Sequence, residues 1–271
     1  GVKAMVVSNI PSSPWTPGPS SIAGCTHCFT PMHALLRRSA ILMALFLPAW
    51  AALAAGPTPS GAAHTVPDTM AQRMLACTAC HGEQGRATNS GYFPRIAGKP
   101  AGYLYNQLVH FRAGRRNNVG MTSLLDSLSD DYLREIATHF ASLDLPYPAP
   151  QRSDAPAAVL QRGETLALRG DKARDVPACV ACHGQALTGV NPAIPGLLGL
   201  PRDYLIGQLG AWQTGLRRAS APDCMGHVAQ RLSGGDVSAV ASWLASQPLP
   251  ANTHPAPVTA QPLPLRCGSE G

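Results

Sequence analysis

The chain has 271 residues, 45% of them apolar and 13% charged, with 26 prolines and 26 glycines, which is room for one large or two small domains with irregular, proline-rich margins. The formal charge of +6 owes much to the N-terminus: from Ala55 onward 18 Lys and Arg face 15 Asp and Glu, a net of +3. The arginines are scattered rather than striped along one face and no nucleic-acid-binding motif occurs, so a nucleic-acid partner is excluded from the reading.

Residues 1–31 are rich in Pro, Ser and Gly and show no periodicity. Met32-His33-Ala34-Leu35-Leu36-Arg37-Arg38 then forms a short basic region, followed by an apolar run from Ala40 to Ala55 that contains Ala52-Leu53-Ala54. This is the build of a secretory signal peptide over 32–54, with cleavage after Ala54. The run is shorter than the roughly 20 apolar residues that span a bilayer and carries Pro48, which disfavours a retained anchor. No cysteine stands at the cleavage point, so lipid attachment is not expected. Translation is expected to start at Met32, which makes 1–31 an upstream extension. Cys25-Thr26-His27-Cys28 has C-x-x-C spacing, but Phe29 follows it, and it falls outside the expected mature chain.

Past that segment a five-residue signature occurs twice, as Cys77-Thr78-Ala79-Cys80-His81 and Cys179-Val180-Ala181-Cys182-His183. C-x-x-C-H is the attachment signature of a c-type haem. The two thiols reach the vinyl groups of one porphyrin as thioethers, and the histidine that follows supplies the proximal imidazole to the iron. Two covalently attached haems are therefore expected. A zinc-binding module is the other reading of paired C-x-x-C motifs; the histidine after each pair argues against it.

From Cys77 onward the chain can be laid on itself with an offset of about 102 residues, so that one unit of roughly 80 residues appears twice. Each unit reads as helical, and the fold class is all-α. A first helix, Asp68 to Leu75 and Val159 to Leu168, leads into each motif. A middle helix carries Leu104, Leu108 and Phe111, or Leu205, Leu209 and Trp212, and stops at Gly114 or Gly215. In the last helix Leu133, Ile136, Ala137 and Phe140, like Val237, Val240, Ala241 and Leu244, follow the spacing of one apolar face. Ser129 and Ser233 are the expected N-caps, the latter in a capping box with Asp236. The units are placed at 62–147 and 157–250, joined by a proline-rich, semi-rigid linker at 148–156. The proline-rich tail at 251–271 is expected to be disordered.

Each motif supplies one axial ligand, and the second must come from elsewhere in its unit. Met121 lies 40 residues after His81 and Met225 lies 42 after His183, each in a stretch expected to be a loop between two helices. A methionine is ordinarily flexible core filler, but one per unit at equivalent positions points to an iron ligand. His110, His139 and His227 compete, though none has a counterpart in the other unit, and a Cys224 thiolate beside Met225 is a further candidate. An oxidising compartment permits Cys224 to pair with Cys267. The carbonyls of Pro94 and Pro195, 13 and 12 residues after the motif histidines, could accept the imidazole Nδ1–H and orient the ring. Arg95, Arg115, Arg116, Arg217 and Arg218 could neutralise haem propionates or form a docking face.

The tandem C-x-x-C-H-G units, Pro94–Gly98 and Pro195–Gly199, Tyr103–Leu108 and Tyr204–Leu209, the later Met121 and Met225, and Leu128-Ser129 with Leu232-Ser233 together resemble the dihaem cytochrome c4 family over roughly Pro67 to Pro250. The resemblance implies two tandem class I cytochrome c domains, each a few helices wrapped around one covalently bound haem, packed about a pseudo-twofold axis. It implies His/Met ligation of both irons, by His81 with Met121 and His183 with Met225, and single-electron transfer in the periplasm. Implied partners are a terminal oxidase, a cytochrome complex or a dehydrogenase, with possible peripheral association at a membrane. The departures are Cys224 before the second methionine, a second unit without a Gly-rich turn after its Cys-His-Gly, and the proline-rich tail. A chain with both irons saturated is expected to be an electron carrier; a dehydrogenase subunit and, further off, a dihaem peroxidase-like enzyme are the alternatives.

Overall fold

The computed structural model describes residues 66–88, 91–258 and 262–269. The expected upstream extension, the expected signal peptide at 32–54 and the Cys25–Cys28 pair lie outside the described residues.

The first unit opens with α1 (Met70–Arg73) and α2 (Leu75–His81), broken at Met74. The Thr69 hydroxyl caps α1 by accepting from the Gln72 amide. A 3₁₀ turn at Glu83–Gly85 follows the motif, then α3 (Ala101–Arg112), α4 (Val119–Leu125) and α5 (Asp130–Ala141). Leu133, Ile136, Ala137 and Phe140 bury the inner face of α5 against Met74, Leu104, Phe111 and Leu125. Each large side chain removed from water here is worth about 1.5–3 kcal/mol. Ser129 caps α5 as its sequence predicts, accepting from the Tyr132 amide.

The second unit runs α6 (Ala157–Leu168), a 3₁₀ turn at Lys172–Arg174, α7 (Val180–His183), α8 (Arg202–Gln213), α9 (Cys224–Gln230) and α10 (Gly234–Ser246). Here the first helix does not lead directly into the motif: ten residues, 169–178, intervene, closed by an Asp171–Val176 bridge. A two-residue antiparallel ladder, β1 (Gly189–Val190) with β2 (Ile194–Pro195), is too short to alter the all-α class. Helices α6 and α10 meet through Gly163, where a Cβ would stand 2.2 Å from the Ala239 carbonyl oxygen. Ser233 and Asp236 form the expected capping box on α10.

The expectation of a disordered tail is corrected by the described part of that tail. Ala256 bridges to Val190, accepting from the Asn191 amide and donating to the Gly189 carbonyl. Cys267 is disulfide-bonded to Cys224, 43 residues earlier. Proline richness misleads here because a segment that pairs only at its edges needs few of its own N–H groups, and a covalent tether leaves no trace in composition. The linker is likewise pinned, with the Gln151 amide donating to Ala245 and its side chain accepting from the Arg202 amide.

The repeats face each other about a local pseudo-twofold. Arg116 and Arg217, equivalent positions in the two units, form an antiparallel bridge. Arg116 donates to Gln107 at 3.2 Å, Gln208 at 2.8 Å and the Tyr204 hydroxyl at 3.1 Å. Arg217 donates to Gln208 at 2.7 Å and Gln107 at 2.9 Å. Each guanidinium also covers an aromatic ring of its own unit, Phe111 or Trp212. Off the axis, the Gly102 amide donates to Pro192 and the buried Lys99 ammonium to Gly196. Burial, helped by Arg95, pushes the Lys99 amine down to about 7.

Candidate functional site

All eight residues singled out as haem-binding, Cys77, Cys80, His81, Met121, Cys179, Cys182, His183 and Met225, line one continuous cavity of about 1120 Å³ that extends through both units. That exceeds the roughly 300–1,000 Å³ of a single small-molecule pocket and suits two groups better than one. The cavity wall is mainly apolar, built from α2, α3, α4 and α5 in one unit and their counterparts in the other.

Each motif histidine ends its helix and turns inward, 8% exposed for His81 and 7% for His183. The next residue is a glycine at φ +75° or +82°, a left-handed conformation that lets the chain leave the helix sharply. His81 Nδ1 lies 2.9 Å from the Pro94 carbonyl and His183 Nδ1 lies 2.7 Å from that of Pro195. A carbonyl can only accept, so both rings carry their proton on Nδ1, leaving each Nε2 lone pair free. Burial pushes both imidazole pKa values down, against the pull of those carbonyls, which keeps the rings in the neutral, ligating form. Burial pushes the Cys179 thiol up to about 12 and the Cys77 thiol in the same direction. That is the opposite of the lowered pKa a redox-active C-x-x-C dithiol needs.

Met121 and Met225 lie not in loops, as expected, but in the short helices α4 and α9. Asn118 caps α4 by accepting from the Met121 amide at 3.0 Å, and Asp223 caps α9 by accepting from the Gly226 amide at 2.9 Å. Seven residues are too few to display a helical period, so only the two Asx caps could have signalled them. Met74, the other cavity-lining methionine, is fully buried in the core beside Cys77.

The competing histidines do not line the cavity. His110 faces the Ser220 hydroxyl across the unit boundary, and burial pushes its pKa down to about 4. His139 packs edge-on to Phe140, and His227 is within 3.0 Å of Asp175. Cys224 is committed to the disulfide. Among the described residues no three His, Cys, Asp or Glu side chains gather as a metal cluster.

Polar groups left over at the cavity fit an anionic guest. Arg116 and Arg217 are 9% and 6% exposed, and their side-chain partners are Gln107, Gln208 and the hydroxyls of Tyr204 and Tyr103, with no carboxylate among them. Buried charge is costly unless compensated. Trp212 Nε1 and Ser269 Oγ are buried without a hydrogen-bond partner and both residues line the same cavity. Carboxylates, which a haem carries as propionates, are what these donors lack. Of this set the sequence singled out only the arginines; Gln107 and Gln208, identical polar residues on otherwise apolar helix faces, were the available signal.

No protein-family model matches the chain. It is 39% identical over 222 residues to a protein of Thiomonas intermedia named thiosulfate dehydrogenase electron acceptor, covering 82% of this chain and 94% of the relative. The solved structure of reduced recombinant cytochrome c4 from Pseudomonas stutzeri is similar with a TM-score of 0.57 at 30% identity, over 65% of this chain and 95% of that one. The thiosulfate dehydrogenase TsdBA of Marichromatium purpuratum, as isolated, is similar with a TM-score of 0.57 at 36% identity, over 64% of this chain; the match spans 36% of that longer chain.

Two helical units about one cavity, each with a C-x-x-C-H motif and an inward histidine, define a dihaem c-type cytochrome: a carrier of electrons and not an enzyme, with two covalently bound haems. The chain belongs to the cytochrome c4 family.

Proposed function

We propose that Cys77 and Cys80 carry one haem as thioethers and Cys179 and Cys182 the other, with His81 and Met121 on the first iron and His183 and Met225 on the second. The observation that carries this reading is that all eight side chains line one cavity while the rival histidines do not. Each haem, when bound, supplies an iron that takes up or releases one electron. The chain's own residues then do the rest. The Pro94 and Pro195 carbonyls hold the imidazoles in one tautomer, the apolar helix faces exclude water, and Arg116 and Arg217 offset the propionate charge at the unit boundary.

The partner we infer is a dehydrogenase acting on a small inorganic sulfur anion, by analogy with the relative named as the electron acceptor of thiosulfate dehydrogenase. The match to part of a longer thiosulfate dehydrogenase chain favours a second form of the same reading, a fixed relay within a dehydrogenase assembly. The expected signal peptide at 32–54 and the Cys224–Cys267 disulfide support a periplasmic location. Among the described residues no helix is long and apolar enough to cross a membrane.

Stopped-flow mixing of the ferric protein with a thiosulfate dehydrogenase and thiosulfate tests the partner. Haem reduction on the timescale of dehydrogenase turnover is expected, and no reduction above the enzyme-free control would overturn it. Denaturing mass spectrometry tests the attachment. Mass equal to the chain plus two haems is expected, falling to one haem when Cys179 and Cys182 are both replaced by Ser.

A further inference from the structure

The two haem sites are not equivalent, and the C-terminal tail makes the difference. In Leu263-Pro264-Leu265-Arg266-Cys267-Gly268-Ser269 the odd-numbered residues are partly buried and line the cavity, while the even-numbered ones are exposed. That is the alternation of an extended strand laid over a surface. The segment is fastened at three points. Cys267 is bonded to Cys224, the residue before Met225. The Gly268 amide donates to the Pro222 carbonyl at 2.9 Å, passing so close to Ala221 that a Cβ there would stand 2.1 Å from its carbonyl oxygen. The Ser269 carbonyl accepts from the Asn106 side chain of the first unit at 2.9 Å.

Among the described residues no disulfide or tail segment holds Met121; α4 is tied by the Asn118 side chain to the Tyr92 hydroxyl at 2.9 Å and by the Thr122 hydroxyl to the Phe111 carbonyl at 3.3 Å. Gly120 occupies the place of Cys224, and α4 leaves Val119 80% exposed and Leu124 41% exposed, whereas in α9 only the last residue, Gln230, is exposed.

We propose that Leu263–Ser269 is a strap that closes the second haem crevice on its methionine side, and that the Cys224–Cys267 bond makes it a positioning element for Met225. This rests on the ligation of the second iron by Met225 proposed above. The strap denies water and small ligands access to that side and restrains α9 from swinging outward. The first site, which among the described residues has no disulfide-anchored segment over it, exchanges its methionine more readily. Opening of this kind is a local equilibrium set by the few contacts that must break, and a disulfide that closes a long loop removes much of the freedom of the open state.

The test compares the wild-type holoprotein with Cys224→Ser/Cys267→Ser and, with the disulfide intact, Leu265→Ala. Cyanide is the probe of iron access in the ferric state, and NMR of the ferrous state counts ligated methionine methyls by their strong ring-current shift. In the wild type we expect two such methyls and two well-separated rates of cyanide binding. In both variants the slower rate should rise by about tenfold or more, the factor that about 1.4 kcal/mol makes in an opening equilibrium. The faster rate should not change, and one of the two midpoint potentials should move. Equal cyanide rates in wild type and variants, with two ligated methyls present, would overturn the strap. One ligated methyl in the wild type, unaffected by Met225→Ala, would instead overturn the ligation on which it rests.

Discussion

Arg116 and Arg217 occupy the same place in the two repeats, and each hydrogen-bonds the same two oxygens, those of Gln107 and Gln208. Two guanidinium groups so placed line the cavity shared by the two units, at the boundary of both proposed haem sites. A buried cation favours the iron state with less positive charge, the ferrous one. Replacing either arginine by Met should therefore lower both midpoint potentials in a potentiometric titration, while Lys should lower them less. A stability cycle of Arg116→Met against Gln208→Leu should give a coupling of about 1–2 kcal/mol.

On the proposed ligation, Met121→Ala should leave an iron without its sixth protein ligand. The ferric spectrum should gain a high-spin component equal to one of two haems, and carbon monoxide should bind the ferrous form. Met121→His should instead keep the iron low-spin and lower its potential, because imidazole favours ferric iron more than a thioether does.

Gly163→Ala forces a methyl group into the Ala239 carbonyl and, at 2.7 Å, the Trp243 side chain. Both lie on α10, whose packing against α6 is the spine of the second unit. Overpacking of this kind costs about 1–3 kcal/mol, and denaturant unfolding should register it. Gly207→Ala, where a Cβ would meet nothing within 4 Å, is the control and should be neutral or slightly stabilising in its helix.

Asp236 receives hydrogen bonds from Arg162, Arg174 and Ser233. Burial pushes its carboxyl up, but Arg174, Ser233 and Arg162 together outweigh that and hold it well below its ordinary 3.8. The folded protein thus binds this proton less readily than the unfolded chain does. The stabilisation is complete above about pH 5 and is lost as pH falls through 3.8 and below. Asp236→Asn should cost about 3 kcal/mol at neutral pH, as removal of one partner from a buried ion pair does. It should also flatten the acid limb of a stability–pH profile.

What was legible in the sequence follows the reach of each constraint. The C-x-x-C-H motifs were legible because their five residues are contiguous, and Pro94 and Pro195 because each lies a short, fixed distance past the histidine its carbonyl meets. Helices α5 and α10 announced themselves through apolar period and serine caps. The burial of Arg116 was not legible, since it depends on Tyr204 and Gln208, some 90 residues away in the other unit. Nor was the ordered tail, because what orders it is a disulfide to Cys224 and the edge of β1, neither of them local.

The acceptor that orients each haem-side histidine is a main-chain oxygen, and every amino acid has one. No single substitution at position 94 or 195 deletes it, so the ring's tautomer and tilt are sheltered from point mutation. Drift between the two haems must then be written in side chains. Lys99 is one such place: its ammonium lies at Gly196, next to the Pro195 carbonyl, and its counterpart in the second repeat is Leu200. A duplicated gene with a fixed internal scaffold of this kind can separate its two haem potentials one residue at a time without risking either site.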